Sequence, residues 1–294
     1  MDERTFTDAH GVEVFTRWWP IASPTAVVVI AHGASEHSGR YERFATALNA
    51  AGFAAVAIDH RGHGRTAAGA DRAIMGAGGG QAVIDDLQDL IVRVRSEMGA
   101  ELPVHLFGHS LGSLMALSFL VQHSAELAGG ILCGVAADVD GVSDLGALLA
   151  GFDTPELRDE SAASLLAANN APFEPARTPY DWLSRDDAEV DRYAADPFCG
   201  DAHPITFGYL IDLFGVLAPA VDHLAAITCP VLVIAGGQDP AAGMGEFARV
   251  AAAALARAGV ATDLTIYEDD RHELLNELDR DAVTADIIGW LLAH

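Results

Sequence analysis

Ser110, Asp239 and His272 have the types and the chain order needed for covalent acyl transfer. A serine hydroxyl is a weak nucleophile until a base takes its proton. The base in turn needs a carboxylate to hold its tautomer and stabilise its charge. Ser110 stands in GHSLG, flanked by His109 and Leu111 and then by Gly108 and Gly112. An apolar run ends just before it and a helical pattern, 113–123, begins just after. A turn that tight leaves no room for side chains on either side. It lifts the hydroxyl to the end of a strand, beside a helix N-terminus that favours developing negative charge. This is the setting of a nucleophile elbow.

Asp239 follows VLVIAGG, and His272 follows LTIYEDD. Both therefore fall where a strand ends, the edge at which an open α/β sheet places its reactive groups. Asp269 and Asp270 are expected to be solvated loop neighbours of the histidine, and Glu273 to cap or charge the first turn of the next helix. The stretch from His272 to Asn276 lacks the second histidine of a zinc-binding helix, so no metal is expected. The oxyanion formed during acyl transfer needs preorganised donors. Those assigned here are the amides of Leu111 and of Ala34, in the loop AHGASEHSGRY. Only the Ala34 amide would act, so Ala34→Ser is expected to be nearly silent in an ester-hydrolysis assay.

The elements that must position these groups are legible as apolar runs: AVVVIA at 26–31, AAVAI at 54–58, VHLF at 104–107, GILCGV at 130–135, VLVIA at 231–235 and LTIY at 264–267. Continuous rather than alternating hydrophobicity suits strands covered on both faces. The segments 43–51, 81–98 and 246–258 are long enough for crossover helices, and 12–19 suggests an antiparallel edge. The expected fold is α/β, a mostly parallel, doubly wound sheet of about eight strands. Between 138 and 224 the strand pattern stops and helical stretches with aromatics take over. The expected division is a core of 1–137 and 225–294 with a helical cap, 138–224, inserted between two strands. Most of the cap's aromatics should form its own core. A subset should face a pocket at the boundary, with Phe152, Trp182, Phe198, Phe207 and Leu210 as the candidates.

The chain has 294 residues, 42 acidic and 17 basic, for a net charge of −25. Such a field repels phosphate backbones and anionic membranes, which argues against a nucleic-acid partner and allows at most weak peripheral lipid contact. Cys133, Cys199 and Cys229 are scattered and read as buried hydrophobes in a reducing, cytoplasmic setting. GAGGG at 76–80 does not link a strand to a helix in dinucleotide-binding style and reads as a flexible loop. No cofactor is expected, and nothing in the sequence bears on oligomeric state.

The segment HGASEHSGRYERFATALNAAGFAAVAIDHRGHGRT, together with GHSLGS, LSRDDAEVDRYAADPF and RHELLNE, resembles the monoacylglycerol lipase and lysophospholipase group of α/β-hydrolases. The order Ser, Asp, His is the one that superfamily uses. The resemblance implies an α/β-hydrolase fold and a serine ester hydrolase acting through Ser110, Asp239 and His272, with Ala34 and Leu111 as oxyanion donors. It also implies a cap above Ser110 that covers an acyl-chain tunnel, and a small neutral lipid or ester as substrate. In that setting His32, His37, His60 and His63 are loop-structuring residues, and Glu36, Arg40 and Arg61 brace the oxyanion loop. Ser113 stands where the group often has glycine and Thr66 where it often has serine. The stretch PAAGMG after Asp239 looks looser than usual.

Overall fold

The computed structural model describes residues 1–67, 73–202 and 204–294. Eight strands form one sheet: β1 (Asp2–Thr7), β2 (Glu13–Trp19), β3 (Ala26–Ala31), β4 (Phe53–Ile58), β5 (Val104–His109), β6 (Gly129–Cys133), β7 (Val231–Gly236) and β8 (Thr262–Tyr267). Their spatial order is β1-β2-β4-β3-β5-β6-β7-β8. The pairs β1/β2 and β2/β4 are antiparallel and the rest are parallel.

Every residue of β3, β4, β5, β6 and β7 is buried, which is why those runs are apolar without alternation. Helices α2 (Gly79–Met98), α3 (Leu111–His123) and α9 (Glu246–Arg257) supply Leu87, Leu114 and Ala251 to the core on one face. Helices α1 (Glu42–Ala50) and α10 (Arg280–Ala293) close the other face with Phe44, Leu48 and Ile287. The antiparallel edge has one more strand than the sequence suggests. β2 is an inner strand, and β1, whose polar DERTFT buries only Phe6, forms the border.

Between β6 and β7 the chain contains α4 (Val142–Gly151), α5 (Pro155–Arg158), α6 (Ala163–Ala168), α7 (Asp187–Ala195) and α8 (Phe207–Val221), with no strand among the described residues. Thr206 caps α8 by accepting the Tyr209 amide at 3.1 Å. Tyr209, Leu213, Phe214 and Leu217 then sink into the main core. GAGGG, expected as a flexible loop, is loop and turn over 76–78, and its last two glycines, Gly79 and Gly80, begin α2. Gly78 and Gly79 take positive φ there, and a Cβ on Gly80 would run into the Asp212 carbonyl of α8. Helix proximity, rather than flexibility, explains that glycine. Among the described residues no helix is long and apolar enough to cross a membrane. All three cysteines are buried and unpaired.

Arg61, expected to brace the oxyanion loop, does something else. Its Nε donates to Asp86 at 2.7 Å, its Nη2 pairs with Asp8, and its Nη1 donates to the carbonyls of Met75 and Ala77. It ties the β1–β2 turn to α2. Burial raises the Asp86 carboxyl from 3.8 to about 7, outweighing the stabilising contact with Arg61. A raised folded pKa means that folding favours the protonated form. Asp86 therefore contributes stability below its unfolded pKa of 3.8, and that contribution is lost as pH rises towards about 7. Asparagine does not titrate, so denaturant titrations should find wild type losing stability relative to Asp86→Asn as pH rises through this window. A constant difference from acid to neutral pH would contradict the shift.

Candidate active site

Ser110 joins β5 to α3 with φ 52° and ψ −120°, a backbone that L-residues avoid. The turn is held from both sides. Ser110 N donates to Cys133 O at 2.8 Å, and Ser110 O accepts from the Ser113 amide at 2.8 Å and the Ser113 hydroxyl at 2.6 Å. Ser113 thus adds a bond that glycine would lack. The flanking glycines are steric requirements. A Cβ on Gly108 would strike the Gly112 carbonyl, and one on Gly112 the Ala31 carbonyl. Gly112→Ala should destabilise the protein by about 1–3 kcal/mol, since the obstruction is backbone. A melting temperature within a degree of wild type would contradict that.

The histidine and the acid come together as their positions predict. His272 Nδ1 donates to Asp239 Oδ2 at 2.7 Å, with both side chains buried. The other Asp239 oxygen accepts the amides of Ala241 and Ala242 at 2.9 and 3.2 Å. The stretch after Asp239 is therefore not loose. Met244 N returns to Asp239 O at 2.7 Å, and Gly243, Met244 and Gly245 all take positive φ to make the turn. Ser110, His272, Ala34 and Gly33 line one small cleft together with His109, Leu166, Trp182, Leu183, Tyr193, Glu36 and Glu273. Neither the Ala34 nor the Leu111 amide donates to a protein acceptor among the described residues.

Behind the cleft Glu36 is a hub. Its Oε1 accepts from Gly33 N at 2.6 Å, Tyr41 OH at 2.9 Å and His109 Nδ1 at 3.1 Å, and its Oε2 from Arg40 at 2.9 Å. Burial alone would push this carboxyl up, but the His109 bond and Arg40 hold it well below the usual carboxylate range. The other His109 nitrogen faces the His272 carbonyl at 3.3 Å. Both ring nitrogens thus meet acceptors, the arrangement of an imidazolium. Burial works against that charge, yet Glu36 raises the His109 pKa.

Two sequence expectations fail beside His272. Glu273 stands at the N-cap of the helical turn 274–276, but its side chain makes no capping bond. It is buried and makes a bidentate pair with Arg40 at 2.5 and 2.7 Å. Asp270 is not solvated either. It is 1% exposed and paired with Arg185, and burial raises it to about 7. Of the loop histidines, His32 donates through Nδ1 to Gly33 O at 2.7 Å and accepts His60 N at 3.0 Å through Nε2. It is thus held neutral, and burial lowers its pKa. His37 pairs with Asp196 at 3.0 Å.

Of the five pocket candidates, only Trp182 lines the Ser110 cleft. Its ring lies 4.9 Å from that of His272. Phe152 is 60% exposed at the end of α4. Phe198 packs on His37 at 5.5 Å, while Phe207 and Leu210 pack against the main core. Leu166 and Tyr193 also line the cleft, and nothing in their local sequence pattern separates them from their neighbours.

The eight-stranded sheet with a strained serine after β5 defines a serine hydrolase of the α/β-hydrolase fold. The chain matches the family described as Serine aminopeptidase, S33, over residues 22–279, and belongs to it. It is 30% identical over 304 residues to the monoacylglycerol lipase of Mycolicibacterium smegmatis, covering 99% of this chain and 97% of that one. It is also 30% identical over 242 residues to the monoglyceride lipase of Homo sapiens, covering 79% and 71%. A solved carboxyl esterase from Bacillus coagulans, in complex with glycerol, is 30% identical with a TM-score of 0.88 over 99% of this chain and 98% of that one.

Proposed function

We propose that the protein is a monoacylglycerol lipase that cleaves its ester through an acyl-enzyme. Ser110 attacks the acyl carbonyl while His272 takes its proton. Asp239 holds the imidazole, and the amides of Ala34 and Leu111 receive the oxyanion. His272 then protonates the leaving alcohol and activates water for deacylation. The observation that carries this reading is the 2.7 Å His272–Asp239 contact opening onto the same cleft as a serine held at φ 52°. Residues 138–224 act as the cap, with Trp182, Leu166 and Tyr193 contributed to the cleft. The net charge of −25 favours a neutral glycerol head over an anionic phospholipid. The unpaired cysteines favour a cytoplasmic setting.

A short-chain carboxylesterase is the second reading, supported by the likeness to the Bacillus coagulans esterase and by the modest cleft. A lysophospholipase, or an acyltransferase using the same three residues, would also fit that chemistry. A ligand receptor without turnover is the alternative of another class. The test is hydrolysis of p-nitrophenyl esters of increasing length beside 1- and 2-monoacylglycerols. Long-chain monoacylglycerol turnover is expected. Activity confined to acetyl and butyryl esters would favour the carboxylesterase. Labelling of Ser110 by a fluorophosphonate without turnover of any ester would leave the receptor.

A further inference from the structure

Beside the Ser110 cleft lies a second cavity, and the two share Leu166, Trp182 and Tyr193. Ser35 lines this second cavity and directly follows Ala34. It is 1% exposed and sits at φ 54°, where glycine is unstrained and other residues are not. Its carbonyl is fully used, accepting the Tyr193 hydroxyl and the Gly200 amide, each at 3.0 Å. Among the described residues its hydroxyl has no hydrogen-bond partner. A buried hydroxyl left unpaired costs free energy on the scale of the bond it lacks. Glycine at this position would remove both the backbone strain and the orphan hydroxyl. Costs of this kind concentrate where a site meets its ligand.

We propose that Ser35 is a specificity-determining residue whose hydroxyl bonds an oxygen substituent on the acyl chain, so that the site favours 3-hydroxyacyl and 3-oxoacyl esters over plain acyl esters. The proposal rests on the reading of Ser110 as the nucleophile. Ala163, Leu166, Ala167, Pro179 and Trp182 give the cavity a largely apolar wall, which suits an acyl chain better than a polyol. The position of the oxygen follows from the chain. Ser35 directly follows Ala34, the assigned oxyanion donor, so the oxygen tested is one close to the reacting carbonyl, at C3 of the acyl chain.

The test compares kcat/KM for matched pairs, p-nitrophenyl butyrate against 3-hydroxybutyrate and hexanoate against 3-hydroxyhexanoate, in wild type, Ser35→Ala and Ser35→Gly. Wild type should prefer the hydroxylated member by roughly tenfold, and both variants should fall towards parity. The readout is a ratio between substrates, which a loss of folded protein does not move. Ser35→Gly should in addition melt higher than wild type, because the strain and the orphan hydroxyl both disappear. A wild-type ratio near one, or a ratio unchanged in both variants, overturns the proposal. So does a Ser35-dependent preference that follows a hydroxyl on the alcohol moiety instead of the acyl chain. If these outcomes arise while turnover is lost in Ser110→Ala, the nucleophile assignment stands and only the Ser35 role falls. If turnover survives in Ser110→Ala, both fall.

Discussion

Ser110→Ala is expected to fold normally and to hydrolyse esters at least about 10⁴-fold more slowly than wild type, with the loss in kcat. The hydroxyl is the only atom removed, and the bonds that hold the turn, from Ser110 N to Cys133 and from Ser113 to Ser110 O, use backbone groups that alanine retains. The elbow strain at φ 52° also persists in alanine. Ser110→Gly should separate the two effects. It should be equally inactive yet more stable by about 1 kcal/mol, since glycine occupies that backbone freely. Steady-state kinetics alongside thermal melts checks both statements. A folded Ser110→Ala protein with near-normal turnover would dismiss the nucleophile. A glycine variant no more stable than the alanine variant would show that the turn stores little strain.

Arg61→Leu should cost about 3–5 kcal/mol of stability, more than the steric clash of Gly112→Ala. Arg61 is 2% exposed and serves two buried acids and two backbone carbonyls at once. Leucine would fill much of the volume but leave Asp8, Asp86 and both carbonyls without their shared donor. Asp86, already near neutral pKa, would meet the loss by keeping its proton. Asp8 still has the amides of His10 and Val12, each at 2.8 Å, so it would remain charged and carry more of the cost. Thermal unfolding should show a drop of roughly 10 °C. Arg61→Leu combined with Asp86→Leu should recover part of it. A single variant melting within about 2 °C of wild type would mean that the pair contributes little.

The inner parallel strands β3 to β7 are legible in the sequence because each is covered on both faces, which leaves a largely unbroken apolar run. β8, the parallel strand at the edge, has no fully buried residue and shows only the short LTIY. β1 is not legible, because a border strand with one buried residue, Phe6, has almost no apolar pattern to read. Asp270 and Glu273 mislead for a different reason. A run of charged residues in a loop looks solvated until its partners are known. Glu273 is buried by a pair with Arg40, 233 residues away in the chain, and Asp270 by one with Arg185. Trp182 stands out among the aromatics of the helical segment only once its contact with His272 is seen. From sequence, Phe152, Phe198, Phe207 and Leu210 are not separable from it. Which face of a short helix meets the nucleophile depends on how that helix docks, and docking has no local signature.

The fold class and the three side chains proposed to react are legible along the chain, because both are written in short range. Strand, tight glycine turn and helix follow one another within a short stretch, and a reactive group at a strand end is already placed at the sheet's edge. Which ionisable groups are buried, how Glu36 links the oxyanion loop to His109, and which side chains wall the cleft all depend on tertiary packing. Those properties belong to pairs of groups far apart in the chain. Their charge, strain and exposure are set by the neighbour that packing delivers, and no single stretch contains both members.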